Sequence, residues 1–395
     1  MPSSLAEHPL SLAWLRQFDA RSIHTARLLL QSLKLVSLQE FETVIARQVQ
    51  SIVDSTEGRI AIFAIDKDPG GEARLPSSAD RLGHCLTNLE RLLPHRIRAK
   101  PSVASMRAEK VRHVVLVDDL LGSGGRLRRF WMAWASKSLK SCLSSRFCQL
   151  WVVCYAAHNS GLRAGMKRIT SLKEDHVLPH VRLYPDAAYW PGRIEELCEE
   201  YAQRTAKARA ASGVGGVMCP IVFQHGCPNN CPAILWAEGK TWRALFQNRA
   251  IDPQLFPCFD APDDSGRNPE LLWNAGQYRL ALSLINDLAA SKKSRTHLDL
   301  IAVLGLVSKG VRADNLDRFV LLPGETVQRL LAQARELGLL SANSTITDFG
   351  RDIVERSKGA FMTQQKDLEI DEEAEQFYIP AQFRGVRRKS STSRI

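Results

Sequence analysis

The segment Val114-Val115-Leu116-Val117-Asp118-Asp119-Leu120-Leu121-Gly122-Ser123-Gly124-Gly125-Arg126 restricts the fold of this chain more than any other. Four aliphatic residues in a row, with no polar alternation, suit a strand buried on both faces of a parallel sheet. Such a sheet needs helices on its faces, so the expected class is α/β. The two acids fall at the carboxyl end of the strand, which is where open α/β sheets bind ligands. The glycines that follow let backbone N–H groups surround an anion where a helix begins. We therefore read Gly122, Ser123, Gly124, Gly125 and Arg126 as a sugar-phosphate loop. Asp118 and Asp119 beside it either accept hydrogen bonds from vicinal ribose hydroxyls or hold Mg²⁺. The loop lacks the Gly-Lys-Ser/Thr ending of a Walker motif. The blander reading of the same residues is an ordinary strand–helix turn with acids on its rim.

With 395 residues, 45% of them apolar, the chain has room for two domains with real cores. No apolar run approaches the ~20 residues of a membrane span, and Met1–Leu10 carries an acid and a proline where a signal peptide needs basic and then apolar residues. No membrane association and a cytoplasmic location are expected. Nine cysteines, an odd number lying mostly in apolar segments, suit buried thiols rather than a disulfide framework. A net charge of +11 and a pI near 9.3 favour anionic partners, nucleotides or nucleic acid, without choosing between them.

Residues 1–58 read as a helical cover, because Trp14, Leu15, Phe18, Ala26, Leu29, Leu30 and Leu33 recur at helical spacing in what reads as two amphipathic helices. Residues 59–250 read as the sheet domain. Its five strands would be Ile60–Ile65, the Asp118 strand, Gln149–Ala157, His180–Leu183 and Cys219–Phe223. Arg74, Arg81, Arg91, Arg96, Arg98, Lys100, Arg107 and Lys110 crowd the segment from Lys67 to Lys110, where solvated positions are the ordinary explanation.

A second motif closes this domain: His225-Gly226-Cys227-Pro228-Asn229-Asn230-Cys231-Pro232, then Leu235-Trp236 and Trp242-Arg243-Ala244-Leu245-Phe246. A strand ending at His225 would carry a titratable group, with Asn229 and Asn230, to the sheet edge of Asp118 and Asp119. Two readings stay open: those groups contact a base or an acceptor, or Pro228 and the asparagines build a turn with Asx hydrogen bonds. The spacing of Cys219, His225, Cys227 and Cys231 matches no paired Cys-x-x-Cys finger, so no metal site is assigned.

The acid pair with Ser123-Gly124-Gly125 resembles the ribose-phosphate loop of phosphoribosyltransferase-like families. The second motif and the opening Trp14-Leu15-Arg16-Gln17-Phe18 extend the resemblance over roughly Leu10 to Arg249. They narrow it to the phosphoribosyltransferase-like domain of bacterial conflict and phage-defence loci, including retron-associated effectors. Two positions depart from the usual loop. Arg126 stands where a Thr is common, and either salt-bridges a phosphate or fills the site. Gly122 stands where purine transferases carry an acid, so any base activation must come from elsewhere. In those families the segment from Lys67 to Lys110 includes a mobile hood.

Residues 251–290 read as a linker with a connecting helix over Leu271–Leu288, and residues 291–360 as a winged helix-turn-helix. Its helices would be Thr296–Ser308, Arg312–Phe319 and Pro323–Leu339, followed by a hairpin through Asn343 and a helix from Asp348. Gln328, Arg329 and Arg335 on the third helix are placed to enter a major groove, although winged helices also dock proteins. The tail 361–395 is acidic over Asp367–Glu375 and basic at Arg387, Arg388 and Lys389, which would fasten onto nucleic acid or simply solubilise the chain.

The resemblance implies an antiphage effector whose substrate is phosphoribosyl pyrophosphate or a related nucleotide, with Mg²⁺ as an accessory ion. It further implies restraint by a retron reverse transcriptase and its RNA–DNA (msDNA), and is compatible with a homo-oligomer. In the enzymatic version His225, Asn229 and Asn230 orient the leaving group or acceptor while the acids face the ribose. The chemistry is glycosyl transfer or N-glycosidic cleavage. The alternative is a nucleotide-sensing DNA-binding regulator without turnover.

Overall fold

The computed structural model describes residues 4–66, 78–184, 190, 193–259, 272, 277, 280, 295–320 and 322–367. The aliphatic run becomes the centre of the molecule. A five-stranded parallel sheet has the order β3-β2-β4-β5-β6, with β2 at Arg59–Ala64, β3 at Ile97–Ala99, β4 at Val111–Leu121, β5 at Gln149–His158 and β6 at Leu172–Leu183. All four pairings are parallel, and β4 lies against β2 on one side and β5 on the other. Its alternate residues serve two cores: Val115 and Val117 belong to one, Val114 and Leu116 to the other. That double burial is why the run Val114–Val117 is uninterrupted by a polar residue.

On one face pack the helices Val103–Ala108, Gly125–Trp134, Lys137–Ser144 and Asn159–Arg168. The other face carries Leu38–Ser55, Ser78–Leu92 and Ile194–Ala202, with the residues that precede and follow them. The start and end of the resembling region meet there. Trp242 is edge-on to both Trp14, at 5.9 Å, and Phe18, at 5.1 Å, and Phe18 also packs on Tyr201. These aromatics are core.

Three expectations change. The segment Leu10–Val53 holds three helices, not two, and a strand between the last two: β1, Lys34–Val36. The strand expected over Cys219–Phe223 forms as β7, Ile221–Phe223, but it pairs in parallel with β1 in a separate two-stranded sheet. The fifth place in the main sheet goes to β3. A three-residue strand shows no alternation, which is why β1 and β3 leave no trace in the hydropathy pattern. Finally, the start of the linker read over residues 251–290 is not all irregular: Pro253–Leu255 and Phe256–Phe259 are helical, and Leu255, Cys258 and Phe259 are buried. Most of the rest of that linker, including nearly all of Leu271–Leu288, lies outside the described residues.

The C-terminal unit has its own core around Ile301, Leu304, Leu316, Leu330, Leu331 and Leu340. It consists of Arg295–Ser308, a 3₁₀ turn Ala313–Arg318, Gly324–Glu336, an antiparallel bridge between Leu340 and Ile346, and Asp348–Asp367. Three helical elements, a hairpin and a closing helix make a winged helix-turn-helix. It touches the end of β6, where Tyr184 donates to Asp317 Oδ2 at 2.5 Å and Arg318 lies over the Tyr184 ring. Burial, with the Asp317 bond added, pushes the Tyr184 hydroxyl up to about 12. No helix among the described residues is long and apolar enough to cross a membrane.

Candidate functional site

The strand β4 delivers Asp118 and Asp119 just before its end, and the chain then turns through Gly122–Gly124 into the helix Gly125–Trp134. Gly124, at φ 74, caps that helix in a left-handed conformation that a side chain would strain. The turn is enclosed on two sides by backbone. Gly161, in the first turn of Asn159–Arg168, lies so close that a Cβ there would sit 2.0 Å from Gly122 O. On the other side runs Ser212-Gly213-Val214-Gly215-Gly216, in which a Cβ on Gly215 would sit 2.6 Å from Ser123 Cβ. Gly213, Gly215 and Gly216 all have positive φ.

Asp118 is fully buried and Asp119 nearly so. Arg126 turns back over both: its Nη1 lies 2.6 Å from Asp118 Oδ1 and 3.0 Å from Asp119 Oδ1. The expected phosphate ligand Arg126 is therefore engaged by the acids in this structure, through an ion pair whose burial makes it strong only while all its partners are present. Its Nη2 and Nε donors form no hydrogen bond among the described residues, and the side chain is 19% exposed. Asp119 Oδ2 faces His225 Nε2 at 3.5 Å. The His225 ring stacks on Phe223 at 5.0 Å and meets Phe41 edge-on at the same distance.

These contacts split the titration of the two acids. Burial raises Asp118 well above the usual carboxylate value, and the charge of Asp119 adds to it, with Arg126 opposing. Burial acts on Asp119 in the same sense, but Arg126 and His225 outweigh it and hold this carboxyl below the usual range. Both acids raise the Arg126 guanidinium, which stays charged. Asp118 is thus the first of the pair to take up a proton. Its Oδ2 has no hydrogen-bond partner among the described residues.

Asn230 lies against the loop, since a Cβ on Gly122 would meet its carboxamide at 2.5 Å, and its Nδ2 donates to Val214 O at 2.6 Å. That is a turn-building role, tying the second glycine loop to the first. Asn229 contributes its backbone carbonyl to Val214 N, and its side chain makes no hydrogen bond among the described residues. The His225 ring faces Asp119, while the Cys219 and Cys231 thiols point at Ile221 O and Cys227 at Pro228 O. Burial, with Cys219 and Cys227 alongside, holds the Cys231 thiol well above its usual value, so it stays protonated in the core.

Sequence reasoning passed over three parts of the site: Gly161, the glycine loop 212–216 and Arg129. The exposed Arg129, four residues after Gly125, brings its Nη1 to 3.6 Å from where a Gly125 Cβ would stand. The cluster Ser212-Gly213-Val214-Gly215-Gly216 was legible as punctuation, and Arg129 follows from i, i+4 spacing on a helix that starts at Gly125. Three basic residues before β4 serve the scaffold. Arg59 and Arg98 both pair with Glu109, and Arg96 donates to the carbonyls of Val53, Thr56 and Gly58.

In the winged helix, Gln328, Arg329 and Arg335 are exposed, and Arg335 donates to Ser344 in the hairpin. Recognition helices read bases with their N-terminal residues. Here that end, Pro323–Glu325, lines a groove of about 540 Å³ opposite Arg47, His180 and Arg182 of the sheet unit. Arg387, Arg388 and Lys389 lie outside the described residues.

Whether Mg²⁺ fits can be judged from the acids. Two carboxylates with a guanidinium across both leave at most one negative charge, and a dication would have to displace Arg126 to reach either Oδ1. The residues present do not fit the ion.

The family described as PRTase-CE matches residues 12–248, well over half of the chain. A second, described as wHTH-PRTase associated, matches residues 301–385. No curated protein matches.

Proposed function

Because this chain belongs to the PRTase-CE family and carries a PRTase-associated winged helix-turn-helix, we propose that it acts on a 5′-phosphorylated ribose, phosphoribosyl pyrophosphate or a related nucleotide, making or breaking the bond at the anomeric carbon. A phosphoribosyltransferase-related function is what the two domains support. The observation that carries the finer reading is the join between the two motifs: His225 lies against Asp119 at the mouth of the β4 loop. A carboxylate that orients an imidazole is the arrangement that positions a general acid or base. Gly122, Ser123, Gly124 and Gly125 supply backbone donors for the phosphate. Ser123 adds a hydroxyl and Arg129 a cation at the same turn. Asn229, half-buried on the segment that follows His225, is the free carboxamide for a base or acceptor.

A second reading has an observation of its own. The oxocarbenium-like state of glycosyl chemistry is stabilised by nearby negative charge, and Arg126 neutralises much of what Asp118 and Asp119 offer. That favours a site that binds a nucleotide and signals through the winged helix without turnover. His225→Ala separates the two. As an enzyme, the folded variant is expected to lose at least ~100-fold in turnover, the usual worth of a positioned acid–base, with ribose 5-phosphate affinity changed little. A wild-type chain that binds nucleotide and never consumes it would reject the enzymatic reading.

Within this reading the biological role is that of an antiphage effector, restrained through its C-terminal unit by a retron reverse transcriptase and its RNA–DNA. The support is the PRTase-associated winged helix, the net charge of +11 and the exposed Gln328 and Arg329. A chain cut near Phe259, ahead of Leu272 and Leu280 that belong to the C-terminal core, should remain soluble, because the C-terminal unit is built on its own core, and should no longer co-purify with that complex. Unchanged co-purification of the truncated chain would move the contact to the sheet unit.

A further inference from the structure

We propose that Arg126 is a resident cation standing where a divalent metal would otherwise bridge the acid pair and the ligand, so that ribose-phosphate binding at this loop is independent of Mg²⁺. The inference rests on the sugar-phosphate reading of the loop and adds what supplies its positive charge. A metal in such a place does two things: it neutralises neighbouring carboxylates and presents the remaining charge to ligand oxygens. Arg126 does the first through Nη1, at 2.6 and 3.0 Å from the two Oδ1 atoms. It is equipped for the second, because Nη2 and Nε form no hydrogen bond among the described residues and the side chain is partly exposed. A guanidinium held in this way offers a planar pair of donors suited to phosphate or vicinal hydroxyl oxygens.

The surroundings keep it there. Asp118 has no exposed surface, so a metal could reach it only by moving a neighbour, and its Oδ1 is already held by Arg126 at 2.6 Å. Asp119 turns its other oxygen to His225, which occupies the second approach. Electrostatics oppose exchange as well, since a dication beside a charged guanidinium meets repulsion in a poorly solvated place.

The test titrates ribose 5-phosphate into the full chain by calorimetry, once in EDTA and once in excess Mg²⁺. The expected Kd differs by less than about threefold between the two, under 1 kcal/mol. Arg126→Thr is expected to bind at least ~10-fold more weakly in EDTA and to recover affinity when Mg²⁺ is added, because the vacated acids then take the ion. Arg126→Lys keeps a cation on the acids and should stay independent of Mg²⁺. Should the Thr variant fail to fold, the wild-type pair of titrations still decides. Wild-type binding that requires Mg²⁺ overturns the proposal and leaves the loop reading standing, as does a folded Thr variant that Mg²⁺ does not rescue. No binding of ribose 5-phosphate in either buffer removes the loop reading itself, and the proposal with it.

Discussion

Arg126→Met is expected to destabilise the folded chain by about 3–5 kcal/mol at neutral pH, the usual cost of removing one partner from a buried ion pair. Met keeps much of the volume of Arg, so the loss is electrostatic: Asp118 and Asp119 are left together in a buried site, with His225 the remaining ion-pair partner of either among the described residues. The sign of its pH dependence follows from the shifts. In the wild type Asp119 lies below its ordinary value of 3.8, so its contribution is present above that pH and is lost as the pH falls through the lower folded value. Asp118 is raised already in the wild type, so its ionisation costs stability above 3.8 in both proteins. Without Arg126 it rises further and Asp119 rises with it, so the variant loses more stability as the pH climbs above 3.8. The gap between the two proteins should therefore open with rising pH. Urea unfolding at a series of pH values measures it, and a gap that stays constant from acid to neutral pH would mean that Arg126 contributes packing rather than charge.

Gly161→Ala is the second large effect, and it touches none of the charged groups. The added Cβ would stand 2.0 Å from Gly122 O and 2.8 Å from Leu121 O, both backbone atoms with no side-chain freedom to yield. Either the helix Asn159–Arg168 or the β4 loop must move. Overpacking of this kind costs roughly 1–3 kcal/mol or more, and a shift of the loop also carries its N–H donors away from the anion they are proposed to hold. The expected result is a chain that keeps its helical and sheet content, melts lower, and loses ribose 5-phosphate binding. Full binding in Gly161→Ala would show that the loop has a tolerance the close backbone contact denies. Gly165→Ala is the control on the same helix, because its Cβ would meet only the flexible end of Leu127 at 3.0 Å.

Much of the frame was legible before any coordinates. Val114–Val117 announced a strand buried on both faces, and it is the central strand. The acids and glycines after it marked the strand-to-helix turn, and His225 was expected at the same edge and lies on Asp119. The helix-turn-helix was legible through its three helical segments, the third opening at Pro323, and the hairpin through Asn343. In each case one local stretch carries both the hydrophobic period and its punctuation, so the signal survives without knowledge of partners.

What only the tertiary structure decided has a common cause. β1 is three residues long and exists because 34–36 meets 221–223, far apart in sequence, so it could not be read alone, and the strand read at the end of the domain could not be assigned its partner. Gly161 and Gly213 must be glycine because another segment's backbone stands where a Cβ would go, which no property of their own neighbours reveals. Arg126 is the sharpest case. The sequence determined that a cation follows the glycine turn within reach of both a phosphate and two acids, but a long side chain settles where the surrounding charges and burial are most favourable. Enclosure of Asp118 and Asp119 by the folded sheet made two carboxylates in a poorly solvated pocket the stronger attraction, and that turned a residue expected to face the ligand back onto the acids.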